Sequence, residues 1–225
     1  MKYWYLAVLC MIFMGFLYYS ERRKKMVRAL LFKALSSLTF VLIGFLSLSE
    51  SKDPASAFLL AGLVFGMAGD VLLNLCHLKN DSAFFFLLGG IAFFIGHILY
   101  LVYLVPGAAG FTLPAVIAGV TAGSLLLLFL HRKRNADKVL LLESVAYLLT
   151  VSTMASFSVF GFLAGDRSTG KLFRMIGGIL FLVSDTILFE RTIRKEESQS
   201  LLGFLVLITY YPAQCLIAMS IASDL

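Results

Sequence analysis

Charge is what this sequence has least of. Only 14% of its 225 residues are Asp, Glu, Lys or Arg, against roughly a quarter in a water-soluble domain, so a soluble globular fold is excluded. Four prolines leave little room for a loop-rich architecture. The three cysteines, Cys10, Cys76 and Cys215, stand far apart with no C-x-x-C pair, which excludes a disulfide framework and a thiolate metal site. Of the three histidines, His77 and His131 fall at the ends of apolar runs and only His97 lies inside one, too few for haem or zinc. No Gly-rich phosphate loop and no H-E-x-x-H is present. The reading therefore calls for no metal and no cofactor. The net charge of +6 is spread over short loops, so no nucleic-acid partner is expected.

What is there is hydrocarbon. The chain is 60% hydrophobic with a mean hydropathy of +0.93. Eight apolar runs of near-membrane length cover 3–20, 28–48, 56–77, 83–105, 112–131, 138–162, 171–190 and 200–222. No ten-residue alternating strands appear, so a barrel is excluded and helices are the remaining way to satisfy backbone groups in lipid. The expected fold is an all-α, multi-pass helical bundle with eight transmembrane helices, forming a single integral membrane domain over residues 1–225.

The first run does not read as a secretory signal, because its charges follow it in Glu21-Arg-Arg-Lys-Lys25. Placing that loop in the cytoplasm puts thirteen Lys/Arg on the inner side: 22–25, 28, 79, 132–134, 138, 191, 194 and 195. Five remain outside, at 2, 52, 167, 171 and 174. This asymmetry places both termini outside, with a bacterial inner membrane as the setting and the lipid bilayer as solvent.

Against this background two carboxylates stand out. Asp70 ends Gly62-Leu-Val-Phe-Gly-Met-Ala-Gly-Asp70, and Asp185 ends Gly177-Gly-Ile-Leu-Phe-Leu-Val-Ser-Asp185. Each has Gly eight residues before it, a small residue just before it and apolar residues two and three positions after. An Asp at the centre of a spanning helix costs roughly 2.5–3.5 kcal/mol on insertion scales, so two of them need a reason.

Other polar residues share their depth. Lys33 lies early in the second run, where it either snorkels to the interface or pairs with the buried acids. Asn74 is one turn beyond Asp70. His97 shares a stripe with Gly89, Phe93 and Tyr100. Glu143 and Tyr147 open the sixth run, and Tyr210, Tyr211 and Gln214 flank Pro212 in the eighth. A proline there frees a backbone carbonyl, as suits a helix lining a polar cavity. Asp70 and Asp185 lie about 7 and 5 residues from the inner ends of their runs, roughly 7–11 Å at ~1.5 Å per residue. Several helices thus bring polar groups to one slab, a pocket expected in the cytoplasmic half. The two aspartate segments, four helices apart, also suggest a parallel four-plus-four repeat.

Five segments carry a family resemblance: Lys33-Ala-Leu-Ser-Ser, Gly62-Leu-Val-Phe-Gly-Met-Ala-Gly-Asp70, Gly96-His-Ile-Leu-Tyr100, Gly178-Ile-Leu-Phe-Leu-Val-Ser-Asp185 and Tyr210-Tyr-Pro-Ala-Gln214. In order and helix count the chain resembles the YhhN family of membrane proteins, which includes the lysoplasmalogenases. It departs from the common pattern at Ala34, where the family usually has Pro. The resemblance implies a lysophospholipid substrate and hydrolysis of the vinyl ether bond of lysoplasmalogens. The products would be a fatty aldehyde and glycerophosphoethanolamine or glycerophosphocholine.

The residues suit that chemistry on their own account. Cleaving a vinyl ether requires protonation of its β-carbon and stabilisation of the resulting oxocarbenium ion. Two carboxylates in a dry pocket, one protonated and one ionised, can supply both. Asp70 and Asp185 are the expected acid–base pair. Lys33, Asn74, His97, Glu143, Tyr147, Tyr210, Tyr211 and Gln214 are the expected binding and orienting residues. The competing class is a proton-coupled transporter using the same carboxylates. That class would need polar residues to continue to the outer face.

Overall fold

Backbone groups in hydrocarbon can be satisfied within one continuous segment only by a helix, and each apolar run becomes one. The computed structural model describes residues 2–79, 82–131, 138–194 and 199–223, with the side chains of 131–144, 193–194 and 199–200 not among those described. The helices are α1 (Trp4–Arg22), α2 (Met26–Glu50), α3 (Ser56–Leu78), α4 (Ala83–Gly107), α5 (Thr112–His131), α6 (Lys138–Ala164), α7 (Thr169–Arg194) and α8 (Gln199–Ser220). All eight are long and apolar enough to cross a membrane, and no strand occurs among the described residues. The protein is an integral, multi-pass membrane protein. Helix α7 runs four residues past its apolar stretch, because Glu190, Arg191 and Arg194 are good helix formers that continue the spiral beyond the hydrocarbon.

The packing follows one scheme in each half of the chain. Helix α2 packs on α1 and α3, as α6 packs on α5 and α7. The tightest pairs are α3 with α4 and α7 with α8. The halves then interlock, α2 against α8 and α6 against α4. This is the arrangement a parallel four-helix repeat produces. The halves differ at their margins: α1 also packs on α8, whereas α5 lies outside on α6 with only a slight contact to α7. Helix α5 contributes no side chain to the polar centre, as expected of a scaffold helix without interior charge.

Where helices come closest, small residues permit it. A Cβ at Gly62 would run into the Tyr100 ring, and one at Gly66 would stand 2.7 Å from the Gln214 amide nitrogen. These glycines of α3 are packing residues that let α4 and α8 approach. The outward faces carry the large apolar side chains, such as Val27, Leu31, Phe45, Leu113 and Leu128, which form the lipid-facing belt. Lys2 Nζ and the Tyr3 hydroxyl lie 2.6 and 2.7 Å from Glu50 Oε1, fastening the start of α1 to the end of α2.

Candidate active site

Asp70 and Asp185, 115 positions apart in sequence, line the same cavity of about 620 Å³. Both are buried. The cavity lies among α2, α3, α4, α7 and α8 and reaches the end of the bundle where Glu21, His77, Ala83 and Arg191 line it.

Asp70 is held from two sides. From α2, the Lys33 ammonium stands 3.6 Å from Oδ1 and the Ser37 hydroxyl donates to Oδ2 at 2.5 Å. From α8, the Tyr210 hydroxyl donates to the same oxygen at 2.9 Å. The alternatives for Lys33 resolve in favour of pairing, with its side chain largely covered beside the acid it neutralises.

The setting of Asp185 repeats this plan with different chemistry. From α6, the helix equivalent to α2, the Tyr147 hydroxyl donates to Oδ2 at 2.8 Å. From α4, the helix equivalent to α8, His97 brings Nε2 to 3.7 Å from Oδ2. The other ring nitrogen of His97 lies 2.7 Å from the Phe93 carbonyl. A carbonyl only accepts, so Nδ1 carries a hydrogen, and in the neutral ring Nε2 presents its lone pair toward the carboxyl group.

Aromatic rings fix these donors. Phe40, Phe93, Phe181 and Tyr211 surround the Tyr210 ring with centroids 5.0–6.3 Å away. His97 is edge-on to Phe181 at 4.7 Å and to Tyr147 at 5.2 Å. Behind Tyr210 runs a relay. The Tyr100 hydroxyl donates to Gln214 Oε1 at 2.8 Å, and Gln214 Nε2 donates to the Tyr210 oxygen at 3.1 Å. Gln214 thus acts on the acid through Tyr210.

Not every expected residue faces the cavity. Tyr211 is fully buried against Phe40, and its hydroxyl has no hydrogen-bond partner among the described residues. Asn74 is buried with its Oδ1 unpartnered among the described residues; neither residue lines the cavity that holds the aspartates. The Glu143 side chain lies outside the described residues. Two participants were missed by sequence reasoning. Ser37 follows Lys33 by one helical turn and is the residue the K-x-x-x-S spacing could have flagged. Arg191 lines the mouth, but in the sequence it reads only as a loop charge.

The opposite end of the bundle is more polar than expected. Arg174, placed near the boundary by sequence, is buried: its guanidinium lies over the Tyr103 ring at 5.2 Å and reaches the Ser220 carbonyl at 3.5 Å. It lines a separate cavity of about 400 Å³ together with Asp53, Asp166 and Lys171. That cavity shares no lining residue with the aspartate cavity. Among the described residues no group of three or more His, Cys, Asp or Glu side chains converges as a metal site would require.

The order of the segments and the helix count now have an explanation in common descent. The YhhN family model matches residues 28–221. The chain belongs to the YhhN family. The match takes in α2 through α8, and with them every helix that lines the aspartate cavity except the end of α1, which contributes Glu21. No curated protein and no solved structure matches the chain. Within this YhhN protein, then, the residues and their geometry bear the weight of any functional reading.

Proposed function

We propose that this YhhN protein is a membrane hydrolase that cleaves the vinyl ether bond of lysoplasmalogens by acid–base catalysis between Asp185 and Asp70. The observation that carries the reading is that two carboxylates from different halves of the chain line one cavity, although each costs free energy to bury in a membrane protein. The different surroundings of the two acids support different roles. Asp70, with an ammonium and two hydroxyl donors around it, is equipped to stay an anion. Asp185 has one hydroxyl donor and faces a histidine lone pair, which suits a carboxyl group that carries a proton.

In this reading Asp185 gives its proton to the β-carbon of the vinyl ether. The carbon–carbon double bond is consumed and the α-carbon becomes an oxocarbenium ion. The Asp70 carboxylate stabilises that positive charge and takes a proton from the water that adds to the α-carbon. The resulting hemiacetal then collapses: Asp70 returns the proton it took to the glycerol oxygen as that oxygen's bond to the α-carbon breaks, Asp185 takes the proton of the hemiacetal hydroxyl, and aldehyde and glycerophospho-headgroup leave. One water is consumed and both acids return to their starting states. A general acid of this kind contributes ~10²–10⁴-fold, and fixed charge beside the cation adds to it.

The cavity at the other end favours one competing reading, a proton-coupled carrier that opens to each side in turn. Purified protein in detergent separates the two. Incubation with a lysoplasmalogen and with an ester lysolipid of the same chain length should release free aldehyde from the first alone. Absence of aldehyde from the wild-type protein, with substrate uptake into sealed vesicles instead, would replace the hydrolase with the carrier. The reading also places the cavity mouth in the cytoplasmic half of a bacterial inner membrane, following the charge asymmetry of the loops.

A further inference from the structure

Beside the aspartate cavity lies a second hollow of different character. Its volume is about 210 Å³, and α4, α6 and α7 wall it with Gly90, Ile91, Phe94, Ala146 and Phe189. It adjoins the polar cavity through Leu73, Phe86, Phe93, Leu188 and Thr192, which line both. On its outer rim Leu87 and Ile91 are 41% and 45% exposed, so it opens sideways, where a bilayer would lie.

From this continuity we propose that the hollow is a slot for the single alkyl chain of an amphiphile whose polar end occupies the aspartate cavity. Its lining is almost entirely carbon, which would leave any headgroup unsolvated but accepts an alkyl chain. Its volume, a third of its neighbour's, suits one chain rather than two. The residue at the junction is Tyr147: its ring walls the slot while its hydroxyl rests on Asp185. In a lysoplasmalogen the vinyl ether is the point where chain meets glycerol. A chain seated in the slot therefore delivers the β-carbon to Asp185 and the glycerol side to Asp70 and Lys33. The slot gains little affinity, because a chain leaving lipid tails is already in an apolar medium. Its contribution is placement.

The slot rests on the hydrolase reading for its ligand, and the test separates the two. Gly90 offers the means to fill it: it lines the hollow and a Cβ there meets nothing within 4 Å, so Gly90→Leu starts from open space on the slot wall. Ala146→Phe fills it from the opposite wall. The probe is a non-hydrolysable alkyl ether lysophospholipid with a diazirine in mid-chain, photolysed on the full-length protein in detergent and mapped by mass spectrometry. Crosslinks should concentrate on 86–94, 146–147 and 188–192 and be lost in both filled variants, while Gly15→Leu on α1, also in open space, leaves them in place. The ratio of kcat/KM for a long-chain over a two-carbon vinyl ether should fall roughly tenfold or more in the filled variants, the scale expected when positioning is lost. Crosslinks scattered around the helix belt, or unchanged in both filled variants, would overturn the slot even if aldehyde is released. Slot crosslinks without aldehyde from any vinyl ether would uphold the slot and overturn the hydrolase.

Discussion

Tyr210, near the middle of the last helix, donates its hydroxyl hydrogen to Asp70 on the third, 140 residues away, at 2.9 Å. Ring neighbours on four sides hold the phenol in place. Tyr210→Phe keeps those ring contacts and removes the hydroxyl. A hydrogen bond to a charged group is worth ~1.5–3 kcal/mol, so turnover should fall by roughly 10- to 100-fold. Aldehyde release beside a melting curve checks this; wild-type turnover would remove Tyr210 from the chemistry.

The two acids should behave alike in activity and differently in stability. Asp70→Asn and Asp185→Asn are each expected to lose ~10²–10⁴-fold in hydrolysis. Asp70→Asn also strands the Lys33 ammonium, and removing one partner of a buried pair costs ~3–5 kcal/mol. The cost here belongs at the lower end, since Lys33 keeps 15% of its side chain exposed. Among the described residues no Lys or Arg pairs with Asp185, so its Asn variant should melt near the wild type. Thermal denaturation of both in one detergent reads the difference.

A single substitution type should change sign with position. Gly62→Ala forces a methyl into the Tyr100 ring, and overpacking of this kind costs ~1–3 kcal/mol. Because Tyr100 bonds Gln214 and Gln214 bonds Tyr210, activity should fall with it. Gly15→Ala meets nothing and should stabilise by ~0.5–1 kcal/mol through helix propensity alone. Equal melting temperatures for the two variants would refute the packing role of Gly62.

Asp166, just before the seventh span, is held below the usual carboxylate range by a hydrogen bond from Lys171 at 2.9 Å. The folded-state value is depressed, so the pair's contribution is present above the ordinary aspartate range and lost as pH falls through the folded value. Lys171→Ala should move the Asp166 titration up toward its ordinary range, measurable by carboxyl NMR, with the Ser168 backbone N–H still holding it somewhat low. Asp166 faces water, which screens the pair, so the melting temperature should hardly move.

Much of this was legible in the residues, for physical reasons. Apolar length is dictated by the thickness of a bilayer, so helices such as α3 and α5 begin and end where their runs do. Asp70, Asp185 and Lys33 stood out because charge in hydrocarbon is expensive. Ser37 did not, because a helical serine ordinarily bonds its own backbone, and here the Lys33 carbonyl at 3.0 Å is the competing acceptor for its one hydroxyl hydrogen. Sequence could not separate Tyr210 from Tyr211. Adjacent positions on a helix differ by about 100°, and only the packing of α3 decides which phenol meets the acid. Arg174 needed the Tyr103 ring to be buried against it, a juxtaposition of α4 and α7 that no local pattern announces. The apolar hollow was invisible for the opposite reason, since its lining looks like any other hydrophobic stretch.

The aspartate cavity and the cavity around Arg174 have no lining residue in common, and along α4 the buried Tyr100 stands between their linings. A membrane is also an electrical insulator, and a continuous watery path through a protein would let protons run down their gradient. Under the proposed hydrolysis, a cavity that ends at this phenol–amide lattice would let the reaction consume water and trade protons from one side only. Each turnover would then leave the membrane potential untouched.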